Sequence, residues 1–444
     1  MAARTDALTA RSGLSYRRQG RGTPLVLVHG YLGGSAQWRA EIDRFAPRFD
    51  VIAPDLPGFA GSAGLPPADR IAQFAGAVMA LLDELGVEST DVGLPGAGPR
   101  AFDDVLRMVR EIAEQKLSIK PTCAGRTLVS DIAPMVEITQ KAGIPVEVMT
   151  FIGSSPIRRL AEDWSRELII ERSVKAIEFA VKEGLEVTFV TEDTTRSRPD
   201  LLTPLFRAAI DAGAKNLCLC DTVGHVTPDG VKNLIGYTRH VIEGTGATVG
   251  IDWHGHNDRG LGLVNSIYAL EYGADRVHGT ILGIGERVGN APLDLILINL
   301  KLLGIIPDRD LTKLAAIAQL VSKATRFPIP INYPVVGEDA FRTATGVHAA
   351  AIIKAKSKGD DFLADRVYSG VPASMVGRKQ EICVGPMSGI SNVTYWLQDH
   401  GKHPDDSLVS SILKVAKESD HNLSEEEILA VVDRHERNSG GPED

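Results

Sequence analysis

Two histidines stand two residues apart in "IDWHGHNDRG", His254 and His256. On a β-strand this spacing points both imidazoles to one face. At the C-terminal mouth of a barrel strand they would converge on a single site, which is ligand spacing for a divalent metal. Two polar strand-end residues that bind nothing would show the same spacing, so the neighbours Asn257 and Asp258 and the surrounding strands carry the argument. Glu192, in "VTED", is a candidate for proton transfer, although Glu192 and Asp193 ahead of Thr194 and Thr195 also suit a helix cap. "GIGERVG" has the composition of a phosphate-cradling loop or of a barrel rim. Cys218 and Cys220 in "LCLCDT" share one strand face; with no second cysteine pair they read as two small buried residues.

These residues need strands to hold them. From Ser89 onward apolar strands alternate with helices: "TDVGLPG", "SIKPTCAG", "VEVMTFIG", "LEVTFVTED", "NLCLCDTVG", "TVGIDWHGHND" and "DRVHGTILGIGERVGN". Intervening helices such as "IIERSVKAIEFAVKEG" end near a glycine, as a C-cap does. Repeated βα units with polar residues at the strand ends predict a parallel α/β barrel. Seven strands are legible, one short of a (β/α)8 closure. The stretch "GIIPDRDLTK" reads as a linker to a Gly/Pro-rich α+β subdomain. "SEEEILAVVDRH" predicts a helix with a capping box at Ser424, and "NSGGPED" a disordered end.

The N-terminal part has a different grammar. "LVLVHGYLGGSAQW" runs an apolar strand into His-Gly and a glycine-rich turn, and "FDVIAPDLPGFAGS" and "RIAQFAGAVMALLDELGV" add a strand, a loop and a helix. Residues 14–86 resemble the start of an α/β-hydrolase. That resemblance implies a G-x-S-x-G nucleophile elbow after the helix. The chain contains no G-x-S-x-G, so His29 has no nucleophile to serve and an esterase reading loses its main support.

"LPGAGPR", "FIGSSPIR", "TEDTTRS", "CDTVGHVTP", "HGHNDRGLG" and "GIGERVGNAPLD" resemble, in order, the 2-isopropylmalate and homocitrate synthases of the hydroxymethylglutaryl-CoA-lyase-like metal-dependent barrels. The resemblance begins near Leu82, and "GEDAFRTATGVHAAA" favours synthase over lyase. It implies a Claisen condensation of acetyl-CoA with a 2-oxo acid, in amino-acid biosynthesis and, for the isopropylmalate type, in leucine biosynthesis. It implies a divalent metal (Mg, Mn or Zn) on His254 and His256, with Thr222 and Asn290 at the oxo-acid site and Asn290 beside the metal. Glu192, His348 and Tyr368 become catalytic positions, His348 reaching the barrel from the following subdomain. A homodimer is also implied.

One departure matters. The first barrel strand of these synthases carries an Arg-Asp step that supplies a metal ligand and an enolate-stabilising arginine. Here the only such step is Arg309-Asp310, past the barrel. The hydrolase-like βα unit stands in that place, and if it fills the slot Asp55 is the candidate third ligand. The expected fold is therefore a TIM-type barrel whose usual first strand is replaced. The expected activity is an acyltransferase impaired by that loss, with a catalytically inactive chimera as the alternative.

The bulk properties agree with such an enzyme. The chain has 444 residues, which is long for one domain. The reading divides it into 1–86, 87–305, 306–400 and 401–444. A net charge of -9 argues against nucleic acid and anionic membranes. Four cysteines make no disulfide framework, no apolar run spans a bilayer and no secretory h-region is present, so the expectation is a cytoplasmic protein. The leucine-sensing domain of many isopropylmalate synthases is not recognisable, and insensitivity to leucine is expected.

Overall fold

The computed structural model describes residues 8–9, 15–19, 24–26, 42, 46–47, 50–54 and 86–439. They fall into two compact units, 1–77 and 78–444. Within the first unit, β1 (Leu8–Thr9), β2 (Ser15–Gln19), β3 (Pro24–Val26) and β4 (Asp50–Pro54) form a sheet in the order β1-β2-β4-β3. The β3–β4 pair is parallel and the others antiparallel. Ile42, Val51 and Ala53 are buried there. His29, Asp55 and the helix expected before Gly86 lie outside the described residues.

The second unit is built on seven parallel strands in sequential order: β5 (Ser89–Asp91), β6 (Lys120–Arg126), β7 (Glu147–Gly153), β8 (Val187–Glu192), β9 (Asn216–Asp221), β10 (Gly250–Gly255) and β11 (Arg276–Val277). Helices spanning Pro99–Glu114, Val129–Ala142, Arg166–Lys182, Pro199–Asp211, Pro228–Glu243 and Gly262–Glu271 return the chain between them. A parallel strand needs such a crossover, and the helix then covers the sheet. Outward residues of the strands, among them Val148, Phe189, Leu217, Ile251 and Trp253, join helix residues such as Val109, Ile177, Phe206 and Ile235 in one core. Burial on both faces explains why these strands read as apolar runs rather than strict alternation.

The sheet is curled. Arg276, on the last strand, donates to Ser89 Oγ on the first across 3.4 Å. Among the described residues no ladder joins β5 to β11, so the seven-strand expectation holds and the first-strand slot is unpaired there. No described helix is long and apolar enough to cross a membrane.

Beyond the barrel, a helix over Leu314–Thr325 packs with Val336, Phe341 and Val376, and a two-stranded parallel pair joins Arg342–Thr343 to Glu381–Ile382. The final helices, Ile390–Asp399, Asp406–Glu418 and Glu425–Ser439, share a core around Trp396, Ile412 and Val432. The capping box forms as predicted: Glu427 N–H donates to Ser424 Oγ (3.2 Å) and Ser424 N–H to Glu427 Oε2 (2.8 Å). Ser424→Ala is expected to cost about 1 kcal/mol, measured by chemical denaturation of this helical layer. Residues 440–444 lie outside the described ones.

Candidate functional site at the barrel mouth

Strand β10 alternates as a two-residue period requires. Ile251 and Trp253 enter the outer core, while Asp252, His254 and His256 point into the barrel. The two imidazoles meet with Nε2 atoms 3.3 Å apart and rings at 79°. Burial pushes the His254 pKa down to about 3, helped by the neighbouring His278 and His256. Burial, with Arg287 adding, also lowers His256. Both rings are therefore neutral at pH 7, the form that binds metal.

Asn290 sits beside them. His256 and Asn290 form an isolated β-bridge. Asn290 Nδ2 donates to the Ile284 carbonyl, whereas its Oδ1 is buried with no partner, as is His256 Nδ1. An orphaned amide oxygen on the residue bridged to His256, together with two free-base imidazoles, is a donor chemistry that fits a divalent cation. The loop "GIGERVGN" holds the asparagine by folding tightly on itself. Gly289 has φ +100°, and a Cβ there would overlap the Gly283 carbonyl oxygen; a Cβ on Gly285 would strike the Asn290 amide. The glycines thus serve close backbone approach, the barrel-rim option. Gly289→Ala is expected to cost about 1–3 kcal/mol of stability and to weaken Mn²⁺ binding roughly 10–100-fold, measured by thermal unfolding and metal titration. A cavity of about 250 Å³ lies beside this loop, lined by residues including Asn257, Val288, Asn290 and Tyr333.

Neighbouring strands supply the rest of the mouth. Burial raises the Glu192 carboxyl above the usual range, with Arg158 opposing, so this group can hold a proton nearer neutrality. Asp193 does not cap the following turn; it forms a two-pronged pair with Arg196 at 2.7 Å. Thr222 Oγ1 accepts the Asp193 N–H (2.8 Å), and the Thr222 carbonyl accepts from Arg287, itself paired with Asp258 at 2.8 and 3.0 Å. The buried Asp221 carboxylate accepts from Thr195 Oγ1 and the His225 N–H, which fixes the loop carrying Thr222.

A family model described as HMGL-like matches residues 73–321. The chain belongs to the HMGL-like family. A second model, described as alpha/beta hydrolase fold, matches residues 23–122, overlapping the first over residues 73–122. The chain is 33% identical over 339 residues to the homocitrate synthase AksA of Methanopyrus kandleri, covering 76% of this chain and 80% of that protein. It is 31% identical over 362 residues to the 2-isopropylmalate synthase of Methanocaldococcus jannaschii, covering 79% of this chain and 65% of that one. The homocitrate synthase AksA of the same organism is 32% identical over 340 residues, 76% of this chain and 78% of that protein.

The HMGL-like barrel brings some candidates together and leaves others apart. His254 and His256 meet through their Nε2 atoms, and Asn290 lies opposite His256 across an isolated β-bridge. His348 and Tyr368 stack on each other, ring centroids 4.1 Å apart, and both are exposed. Among the described residues no hydrogen bond or ring contact joins either to the barrel histidines. The Arg-Asp step past the barrel is committed to structure: Arg309 donates to the Gly86 carbonyl, and Asp310 Oδ1 accepts the Thr312 N–H (2.9 Å).

The sequence reading did not single out a second donor group on the inward faces of the same strands. Among the described residues, the only group of three His, Cys, Asp or Glu donor atoms within 4.8 Å of one another is Cys218, Asp252 and His278. No carboxylate of the described residues therefore joins the His254–His256 pair at that distance. Asp252 also meets Arg276 (2.5 Å), which binds Glu147 at 2.6 Å. A signal for this layer exists in the chain: stepping back by two from His254 and from Cys220 reaches Asp252 and Cys218 on the same inward faces.

Proposed function

We propose that this chain catalyses a divalent-metal-dependent Claisen condensation of acetyl-CoA with a 2-oxo acid, as an acyltransferase of the homocitrate or 2-isopropylmalate synthase type. The observation that carries the reading is the His254–His256 pair, Nε2 atoms 3.3 Å apart, beside the orphaned Asn290 Oδ1. Relatives named homocitrate and 2-isopropylmalate synthases support it.

His254, His256 and the Asn290 amide oxygen would hold the metal, which supplies Lewis-acid polarisation of the oxo-acid ketone. Glu192, whose carboxyl is raised by burial, is suited to carry a proton at the mouth. The Thr222 hydroxyl, which accepts the Asp193 amide N–H, would orient the oxo acid. The methyl carbon of acetyl-CoA loses a proton and bonds to the ketone carbon. The ketone oxygen gains a proton, and water cleaves the thioester to a carboxylate and free CoA. His348 and Tyr368 enter as a stacked, exposed pair on the second subdomain. Val347, Phe362, Met387 and Ile390 are exposed on the same subdomain, which supports a homodimer meeting there.

The test is CoA release from acetyl-CoA, followed by thiol titration, with 2-oxoisovalerate, 2-oxoglutarate and pyruvate in turn and Mg²⁺ or Mn²⁺ present. Turnover with one oxo acid that disappears in His254→Ala supports the reading. Absence of turnover from folded protein with all three overturns it. A second reading, a metal-binding barrel that performs no condensation, rests on the lack of a carboxylate beside the histidine pair among the described residues; metal binding without CoA release would establish it.

A further inference from the structure

The barrel interior holds a second set of donor atoms that the proposed condensation does not use. We propose that Cys218, Asp252 and His278 form an inner metal site that takes a zinc-class cation through thiolate, carboxylate and imidazole. One ligand atom from each lies within 4.8 Å of the other two. Donors around zinc stand about 2.0–2.3 Å from the ion, so these three need to close by about an ångström. The register places Cys218 opposite Asp252, and Asp252 opposite Arg276 on the next strand. His278 follows two residues on, and its Nε2 reaches Asp252 at 3.3 Å.

The side-chain contacts of Asp252 (Arg276 Nε at 2.9 Å, Arg276 Nη2 at 2.5 Å and His278 Nε2 at 3.3 Å) all end on Oδ2. Oδ1 is left for a cation, while Arg276 grips the other oxygen, as ligating carboxylates are held by outer hydrogen bonds. Cys218 is a free cysteine whose Sγ has one hydrogen-bond partner among the described residues, Cys220 Sγ at 3.9 Å.

Charge gives an independent argument. Two buried carboxylates, Glu147 and Asp252, share one guanidinium, Arg276. Glu147, Asp252 and Arg276 together keep one net negative charge away from water, which is costly. A divalent cation bound with Cys218 as thiolate brings the set to neutrality. The thiolate selects zinc over magnesium or manganese, so the two levels of the barrel would sort metals by softness.

The test uses the reduced, metal-stripped full chain titrated with Co²⁺. Sulfur ligation gives a near-ultraviolet thiolate-to-cobalt charge-transfer band that the His254–His256–Asn290 site cannot produce. The band is expected in the natural protein, lost in Cys218→Ser, retained in His254→Ala/His256→Ala, and bleached by added Zn²⁺. Bound Co²⁺ without the band in the natural protein overturns the proposal. So does a band that survives Cys218→Ser, or one that vanishes with the two mouth histidines. The natural-protein arm needs no variant to fold, and no arm depends on condensation activity.

Discussion

His254→Ala is expected to lower CoA release by roughly 10²–10³-fold, the scale of losing one preorganised electrostatic contact to the reacting group. The same variant is expected to weaken Mn²⁺ binding, because His256 and the Asn290 amide cannot replace a second imidazole. Its fold should survive. The His254 ring lies on the inward face, near His256 and His278, and takes no part in the outer apolar core. Circular dichroism and an unchanged denaturation midpoint would verify this. Rate measured at saturating oxo acid, together with Mn²⁺ affinity, separates a metal ligand from a residue that only packs. A variant that keeps full Mn²⁺ affinity and full turnover would remove His254 from the site, and with it the condensation reading.

Much of this site is legible in the sequence because β-strand periodicity is short and rigid. A spacing of two is enough to put His254 and His256 on one face, and the Nε2–Nε2 distance of 3.3 Å is that face realised. The inner strands are legible for a related reason: the apolar runs of β7 to β10 are largely buried on both sides and have polar residues at or next to their ends. Helix-end chemistry is also local enough to read, as the Ser424–Glu427 box shows. Asn290 required the family resemblance, since its placement depends on a loop whose glycines matter only through contacts with one another.

What escapes the sequence is long-range. Arg276 is separated from Glu147 by 129 positions and from Ser89 by 187, and no local pattern reveals that the three meet. Cys218 reads as a small buried residue, and it is one. Its nearness to Asp252 and His278 follows from strand register, which depends on the whole sheet. The exposed stacking of His348 on Tyr368 is equally invisible, because twenty positions separate them.

Arg276→Met should be the most destabilising single change in the barrel interior. The guanidinium donates to Glu147 at 3.0 and 2.6 Å, to Asp252 at 2.9 and 2.5 Å, and to Thr188 at 3.1 Å. The two carboxylates are 8% and 1% exposed, so water does not screen their repulsion once the cation is gone. Breaking a buried ion pair from one side costs about 3–5 kcal/mol. Removing the anions with the cation, as in Arg276→Met/Glu147→Gln/Asp252→Asn, should recover most of that loss, because the cost lies in uncompensated charge rather than in the missing contacts. Acid acts in the same direction. Burial alone would raise the Glu147 carboxyl, but hydrogen bonding and attraction from Arg276 outweigh it and hold the group below its ordinary range. A carboxyl depressed in the folded state stabilises the fold above its unfolded pKa, and that contribution drains away as pH falls through the lower folded value. Denaturation followed by fluorescence of the fully buried Trp253 would therefore show the gap between natural protein and Arg276→Met narrowing in acid and full at neutral pH. A gap under about 1 kcal/mol at neutral pH would instead mean that the network behaves like a surface salt bridge, and that the curled sheet is held by its apolar outer layer alone.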